Sequence, residues 1–337
     1  MKFKLYLLFC MLSGVYGCTT SDTPQADVSA VKLEISIGRM EKDLFGIKRG
    51  GLLHEIPRLR KTYSGFFDLF TEGILKIPKS NDTLLAMNLE DFLFNPEIRE
   101  VNQECEKTFQ DISSIESEIR EGFRHYKYYF PSKSIPKPVT FISGFNYSIV
   151  CSDSVLGVSL DMYLGNDCKF YPRLGYPKYK TMKMSKEYVA ADALKGWAQT
   201  EFEPKEPLKD FLANMIFNGK MMYFLDAVFP DMNDSLKIGY TEAQMKFCKK
   251  NEGKIWSVFV EKNLLFSSQS NEYMKFISEG PTSNGFPRES PGAIGIWTGW
   301  QMVRKYMKEN KQVTLKQLME EKDAQTILNL SHYKPGV

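Results

Sequence analysis

The sequence predicts an α+β domain that is mostly helical and carries one small sheet rich in antiparallel pairing. Long stretches place apolar residues at three- and four-residue spacing, which is typical of amphipathic helices. Runs with strand character are confined to residues 31–37 and 139–160. Because no internal repeat or low-complexity block divides the chain, we expect a single domain rather than two.

The strand pattern begins early in the chain. Residues 31–37 alternate apolar and polar side chains, the period of a half-buried strand. Further runs cover residues 140–142, 147–150 and 156–160, and Ser152-Asp153-Ser154 suits a hairpin turn between the last two.

The clearest helix is predicted over residues 95–130. Asn95 is a capping residue, Pro96 suits the first helical position, and apolar residues recur at helical spacing until Pro131 ends the pattern. Similar spacing predicts helical structure over residues 52–70, 186–202, 207–229, 241–266, 291–310 and 314–330.

The N-terminus resembles that of an exported lipoprotein. Lys2 and Lys4 precede an apolar stretch that is too short to span a bilayer and ends in small residues, as in a cleaved secretory signal. Val15-Tyr16-Gly17-Cys18 resembles the lipobox of bacterial lipoproteins, which implies a signal peptide over residues 1–17 and lipid attachment at Cys18. An ordinary signal peptide cut near Gly17 is the alternative. Residues 18–30 then read as a flexible tether, and the domain spans residues 31–337.

Charge and composition exclude other membrane and nucleic-acid functions. The 44 basic and 41 acidic residues nearly balance, and no basic stripe interleaved with aromatics suggests nucleic-acid binding. No other apolar run approaches bilayer length. The membrane contact that we expect is therefore the lipid anchor.

Four cysteines follow Cys18: Cys105, Cys151, Cys168 and Cys248. An exported compartment permits disulfides, and Cys151 with Cys168 could close a short loop. Two buried free thiols explain the same pair as well. No C-x-x-C pair indicates a redox or zinc site.

Motifs for catalysis are missing. His54-Glu55 opens an H-E-x-x-H pattern, but Arg58 stands at the fifth position, and we interpret the pair as a surface dipeptide. We expect His125 to be solvated among packing aromatics. No nucleophile elbow, phosphate loop or dinucleotide fingerprint is present, so we predict a non-enzyme with no metal and no cofactor.

Three blocks carry a resemblance to a family. They cover residues 161–165, which include Asp161, residues 218–226, which begin at Asn218, and residues 290–307. Together with the lipobox they resemble the gliding motility lipoprotein B (GldB) family of Bacteroidetes. That family is distantly similar to zincin-type predicted zinc proteases, which implies a zincin-like domain. The corresponding helix, Glu187 to Gln199, has no histidine, so the resemblance implies a protease-like scaffold without its metal.

Small and aromatic residues alternate in the third block. Gly292, Gly295 and Gly299 recur at helical spacing, which allows close backbone approach. Trp297 and Trp300 fall near a neighbouring face, where core packing and an aromatic wall of a binding groove are the two interpretations. We expect Arg304 and Lys305, which follow them, to reach solvent.

The resemblance implies a lipid-anchored accessory protein of the gliding and protein secretion machinery, a protein-binding pseudo-protease whose partners are other envelope proteins. We expect it in the outer membrane, facing the periplasm. The exposed sheet edge, Val155 to Leu160 or Tyr147 to Val150, could bind an extended segment. The candidate binding residues are Tyr147, Val158, Asp161, Asn218, Trp297 and Trp300. The alternatives are a metal-dependent peptidase with an unrecognised site and an extracytoplasmic peptide- or glycan-binding lipoprotein.

Overall fold

Helices surround one four-stranded sheet in the computed structural model, which describes residues 26–336. The prediction of a mostly helical α+β domain is confirmed. The predicted signal peptide and Cys18 lie outside the described residues. In the part that is described, no helix combines the length and the apolar character needed to cross a bilayer.

The sheet is mixed rather than rich in antiparallel pairing. Its strands are β1 (Gly38–Arg39), β2 (Lys137–Phe141), β3 (Ile149–Cys151) and β4 (Val155–Ser159), in the order β1-β2-β4-β3. β2 pairs in parallel with both β1 and β4, and only β3 pairs antiparallel to β4. The antiparallel prediction was wrong because it rested on the β3–β4 hairpin, the one local pairing.

The predicted strand over residues 31–37 is not a strand. Its alternation does reflect burial, since Ile35 and Ile37 are buried while Lys32 and Glu34 are exposed. No neighbouring strand pairs with it, and the Ile37 amide donates to a Glu116 carboxylate oxygen at 2.9 Å instead. The alternation of buried and exposed side chains therefore arises here from an extended segment that packs on a helix, not from a strand in a sheet.

Several predicted helices are divided. The one over residues 95–130 breaks near Phe109 and restarts where the Asp111 carboxylate accepts the Ser113 amide at 2.8 Å. The α-helices are α1 Met40–Phe45, α2 Leu52–Thr62, α3 Phe66–Asp68, α4 Asp82–Leu93, α5 Pro96–Thr108, α6 Ser113–Tyr129, α7 Phe170–Arg173, α8 Lys178–Thr181, α9 Val189–Glu201, α10 Phe211–Val228, α11 Asp234–Ile238, α12 Glu242–Lys250, α13 Glu252–Glu261, α14 Ser270–Ile277, α15 Ile294–Glu309, α16 Leu315–Glu320 and α17 Ala324–Ser331. A π-helix covers Leu69–Ile74, and 3₁₀ turns cover Leu160–Tyr163 and Lys186–Tyr188.

The core centres on the crossing of α10 and α15. A Cβ atom on Gly299 would lie 1.9 Å from the Met215 carbonyl oxygen, and one on Gly219 would lie 2.4 Å from the Gly299 carbonyl carbon. The two backbones therefore touch, as the glycine spacing predicted. Trp297 and Trp300 are buried in the core. Core packing was thus the correct interpretation of the tryptophans, and they form no wall of an open groove.

The predicted flexible tether is partly docked on the domain. Val28 is buried, and the Arg124 guanidinium donates to the carbonyl oxygens of Val28 at 2.9 Å and Val31 at 3.1 Å. Glu121 accepts from the same guanidinium at 2.8 Å and fixes its position. The neighbouring His125 is buried rather than solvated, and its Nδ1 lies 3.1 Å from the Glu121 carbonyl oxygen.

Replacing Arg124 with glutamine is expected to release residues 26–31, because one amide cannot replace two guanidinium hydrogen bonds. The Val31 amide, which donates to the Val28 carbonyl at 2.9 Å, should exchange its hydrogen at least tenfold faster. Global stability should fall by only about 1 kcal/mol. Hydrogen exchange read by mass spectrometry measures this. Arg120→Gln on the same helix is the control, and equal exchange in both variants would contradict the docking.

Candidate binding groove

The free edge of the sheet is β3. The Ser159 amide donates to the Ser148 carbonyl at 2.9 Å across the β3–β4 pair. In an antiparallel pair, alternate residues turn their backbone groups toward and away from the partner. Ile149 and Cys151 therefore direct their N–H and C=O groups outward, where no strand of the described chain pairs with them. These groups form a short template for an added strand.

The other predicted edge, Val155 to Leu160, was wrong. This run forms β4, which lies between β2 and β3. Val158 is buried and pairs with Thr140 on one side and Ile149 on the other. The edge could not be assigned from the sequence because both runs have similar strand character.

Helix α9 forms the floor beside β3. A Cβ atom on Gly196 would lie 2.8 Å from the Ile149 Cγ2 atom, so the glycine allows the helix to pack directly against the edge strand. Asp192, Lys195 and Gln199 recur at three- and four-residue steps and share the open face of α9. Together with β3 they line a cavity of about 500 Å³, which we call the edge groove.

Two ion pairs involve residues that line the edge groove. Asp192 accepts a hydrogen bond from the Tyr163 hydroxyl at 3.1 Å and one from the Lys195 ammonium at 3.2 Å. Glu279 accepts one from Lys183 at 2.6 Å. Burial opposes ionisation of Glu279, but the charges of Lys183 and Lys195 outweigh it and lower the pKa of that carboxyl. The groove therefore presents ion pairs of opposite charge beside the apolar side chains of β3.

A second cavity of about 280 Å³ continues from the edge groove, and both are lined by Lys195, Gln199 and Glu279. Asn218, a predicted site residue, lies in this cavity, and its amide nitrogen donates to the Asn214 carbonyl at 2.9 Å. We call it the methionine cavity, because its apolar lining includes Met182, Met221, Met222, Ile238 and Ile296.

Asp161 has a structural position rather than a place in the groove. It lies in a 3₁₀ turn after β4, not inside a strand, and is fully buried. Its carboxylate accepts the amides of Ser143 at 3.3 Å and Phe145 at 2.6 Å, and it also accepts the Ser159 hydroxyl. Burial raises the pKa of Asp161 despite these hydrogen bonds. The residue holds the loop that leads into β3.

Tyr147 ends that loop and is 39% exposed. It precedes β3 but does not line the edge groove. Its carbonyl oxygen accepts the Ser143 hydroxyl at 3.3 Å. Of the predicted binding residues, Tyr147 and Asn218 are accessible, whereas Val158, Asp161, Trp297 and Trp300 are buried.

Of the two interpretations of Cys151 and Cys168, the structure has free thiols rather than a disulfide, and both side chains are half-buried. Cys151 faces α9, with its sulfur 3.7 Å from where a Gly196 Cβ atom would lie. Cys168 precedes α7, on another element. Burial raises the pKa of the Cys151 thiol to about 11, so it is protonated at neutral pH.

A buried charge network lies beneath α15. Asp226 accepts hydrogen bonds from Lys237 at 2.9 Å, from the Trp300 indole at 2.8 Å and from Arg304 at 2.7 and 2.8 Å. Arg304 also donates to Asp234 and stacks 3.8 Å from the Trp300 ring centroid. The Arg304 side chain is 30% exposed, so it reaches solvent only in part, and its guanidinium is held by the two carboxylates.

Lys305 does extend to the surface, as predicted, where it pairs with Glu309 at 2.6 Å. The histidines lie apart from each other. His54 is exposed on α2, His125 is buried on α6, and His332 ends α17. Across residues 26–336, no three His, Cys, Asp or Glu side chains lie close enough together to hold a metal ion.

Sequence reasoning missed the groove residues Asp192, Lys195 and Glu279. The resemblance drew attention to α9 only through its lack of a histidine. The three-residue spacing of Asp192 and Lys195 on α9 indicates a polar stripe on that helix. Glu279 comes from a loop that is distant in sequence, so no local pattern indicates its position. Asp226 also had a signal, since it is the one acid in the apolar helix α10.

Comparison with known proteins covers almost the whole described chain. The family described as gliding motility protein GldB matches residues 21–335. No curated protein and no solved structure matches the chain, and a similarity to zincins is not found. Because the match extends over far more than half of the sequence, this chain belongs to the gliding motility protein GldB family.

Proposed function

We propose that this chain is a non-catalytic, lipid-anchored protein of the cell envelope that serves the gliding apparatus by binding an extended segment of a partner protein. Membership of the gliding motility family supports the setting. The observation that carries the binding proposal is the outward backbone of Ile149 and Cys151 at the edge of the sheet, directly above the open face of α9.

The partner segment binds as a fifth strand. Its main chain exchanges hydrogen bonds with Ile149 and Cys151, and its side chains alternate between the two faces of the sheet. Those on the α9 side lie over Lys195 and Gln199 and point toward the methionine cavity. Methionine side chains adapt to different shapes, so this cavity suits a bulky apolar residue without demanding one type.

A binding role fits the chemistry of the groove better than catalysis. The Asp192 carboxylate is held by Tyr163 and Lys195 rather than aimed at an open position. All three histidines lie outside the groove lining. The same groove can hold a strand without performing catalysis, as a pseudo-protease would.

The anchor places the groove near a membrane. In the proposal, Cys18 carries the lipid and the domain faces the periplasm from the outer membrane. The lipobox-like residues 15–18 and the family description support this. The direct partners are then other envelope proteins of the gliding and secretion machinery.

Filling the groove with a bulky side chain is expected to abolish partner binding. Gln199 is exposed at the junction of the two cavities, so Gln199→Trp should obstruct an incoming strand. A photo-crosslinking amino acid at Thr200, also exposed in the groove, is introduced with and without this change in intact cells. The crosslinked partner should fall at least fivefold with Gln199→Trp.

Gln103→Trp is the matched control, because Gln103 is an exposed glutamine on α5, away from both cavities. It should leave the crosslinked species unchanged. Thermal unfolding of both purified variants checks that the fold is intact. Equal crosslinking in the two variants would reject the groove as the binding site.

A further inference from the structure

One segment concentrates positive charge in a chain that is otherwise nearly neutral. Residues 169–186 contain six lysine and arginine residues and no aspartate or glutamate. The whole chain has 44 basic and 41 acidic residues. We call residues 169–186 the basic segment.

Most of these charges form no ion pair within 4.0 Å in the described part of the chain. Lys169 pairs with Glu100 and Lys183 pairs with Glu279. The other four form no ion pair within the described part of the chain, although Asp167 and Glu187 flank the segment in sequence. They are Arg173, Lys178, Lys180 and Lys186.

The basic segment is an ordered part of the surface. Helices α7 and α8 are joined by a turn in which Gly175 has a φ of 75°. The Tyr176 hydroxyl donates to the Phe145 carbonyl at 2.7 Å, and the rings of Tyr171 and Tyr176 meet edge to face at 5.9 Å. The Tyr171 hydroxyl donates to the buried Asp161 carbonyl at 3.0 Å. These hydrogen bonds and the ring contact hold the basic segment against the core, and no bound partner is needed to order it.

Apolar side chains are exposed among these charges. Leu174 is 53% exposed at the turn, and Met182 is 38% exposed. Pro172 and Pro177 flank the turn and are also exposed. A rigid loop that shows leucine and proline to solvent between lysines and arginines has the composition that binds an anionic membrane interface.

We propose that the basic segment docks on the anionic phospholipid headgroups of the bilayer to which the chain is anchored. The unpaired cations contact phosphates, each worth about 1 kcal/mol near an anionic surface, and Leu174 enters the interfacial region. This proposal rests on the lipid anchor of the proposed function. The anchor makes docking intramolecular, so weak contacts suffice.

The position of the docked N-terminal segment supports this arrangement. Residues 26–29 and Glu187 line one cavity of about 920 Å³, so the end of the basic segment lies beside the chain that leads to the anchor. Ala26 follows Cys18 by eight positions, which limits the distance between them to at most roughly 29 Å. The domain face that carries Lys186 is therefore held close to the bilayer.

The test uses the full lipidated chain in phosphatidylcholine vesicles with and without phosphatidylglycerol. A Leu174→Trp variant reports bilayer contact through quenching by lipids brominated on their acyl chains. Met87→Trp is the control, since Met87 is 61% exposed on α4. We expect at least twofold stronger quenching of Leu174→Trp in anionic than in neutral vesicles, reversal by high salt, and no such difference for Met87→Trp.

Adding Lys178→Glu, Lys180→Glu and Lys186→Glu to Leu174→Trp should abolish the anionic enhancement. Equal quenching in both vesicle types, or none in either, would overturn the inference. So would an enhancement by anionic lipid that is unchanged in the charge-reversed variant. Flotation tests the anchor separately: the lipidated chain should float with neutral vesicles and Cys18→Ala should not. If neither the lipidated chain nor Cys18→Ala floats, the lipid anchor is wrong. Docking is then tested by itself at high vesicle concentration, where absence of quenching in anionic vesicles rejects it.

Discussion

Replacement of Asp226 by alanine is expected to lower the free energy of unfolding by about 3 to 5 kcal/mol, the cost of breaking a buried ion pair by removing one partner. Asp226 is 2% exposed and accepts hydrogen bonds from three side chains. Without it, the Lys237 ammonium, which is 3% exposed, keeps only Asp234 at 3.9 Å. Urea unfolding followed by circular dichroism measures the loss.

Asp234 provides the matched control. It binds the same Arg304 at 2.7 Å, but it is 25% exposed, so water can replace part of its contribution. Asp234→Ala should cost about 1 kcal/mol. A loss for Asp226→Ala no larger than for Asp234→Ala would show that the network contributes little to stability. Because no residue of the network lines the edge groove or the methionine cavity, neither variant should alter partner crosslinking in the protein that remains folded.

The sequence could predict local features of this fold but not its long-range pairing. The caps at Asn95 and Thr314 and the apolar spacing of α10 and α15 are encoded by neighbouring residues. The parallel pairing of β2 with β1 and β4 joins distant segments, and no periodicity reveals it. The same limit explains why extended residues 31–37 were predicted to be a strand.

The same contrast between local and long-range features applies to the candidate site. Tyr147 to Val150 was one of two runs predicted as the edge, and β3, which overlaps it, forms a local hairpin with β4. The groove beneath it requires α9 to approach Ile149 through Gly196 and a distant loop to bring in Glu279. Those contacts are tertiary. The buried tryptophans were ambiguous for the same reason, since spacing assigns a helix face but not what covers it.

Substitution of Gly299 by alanine is expected to destabilise the domain by about 3 kcal/mol or more, at the upper end of overpacking costs. The new methyl group would lie 1.9 Å from the Met215 carbonyl oxygen, which belongs to a helix backbone and cannot rotate away. Helix propensity favours alanine over glycine by about 1 kcal/mol, so the clash must exceed this gain. Helices α10 and α15 would have to separate.

Gly73→Ala separates the clash from the general effect of adding a methyl group to a helical glycine. Its Cβ atom would meet the Leu69 Cδ1 atom at 2.9 Å, the end of a flexible side chain that can move. Stability should therefore change by less than about 1 kcal/mol. Urea unfolding compares the two variants. If Gly299→Ala were equally mild, α10 and α15 could separate at little cost, and the backbone contact between them would not be what fixes the core.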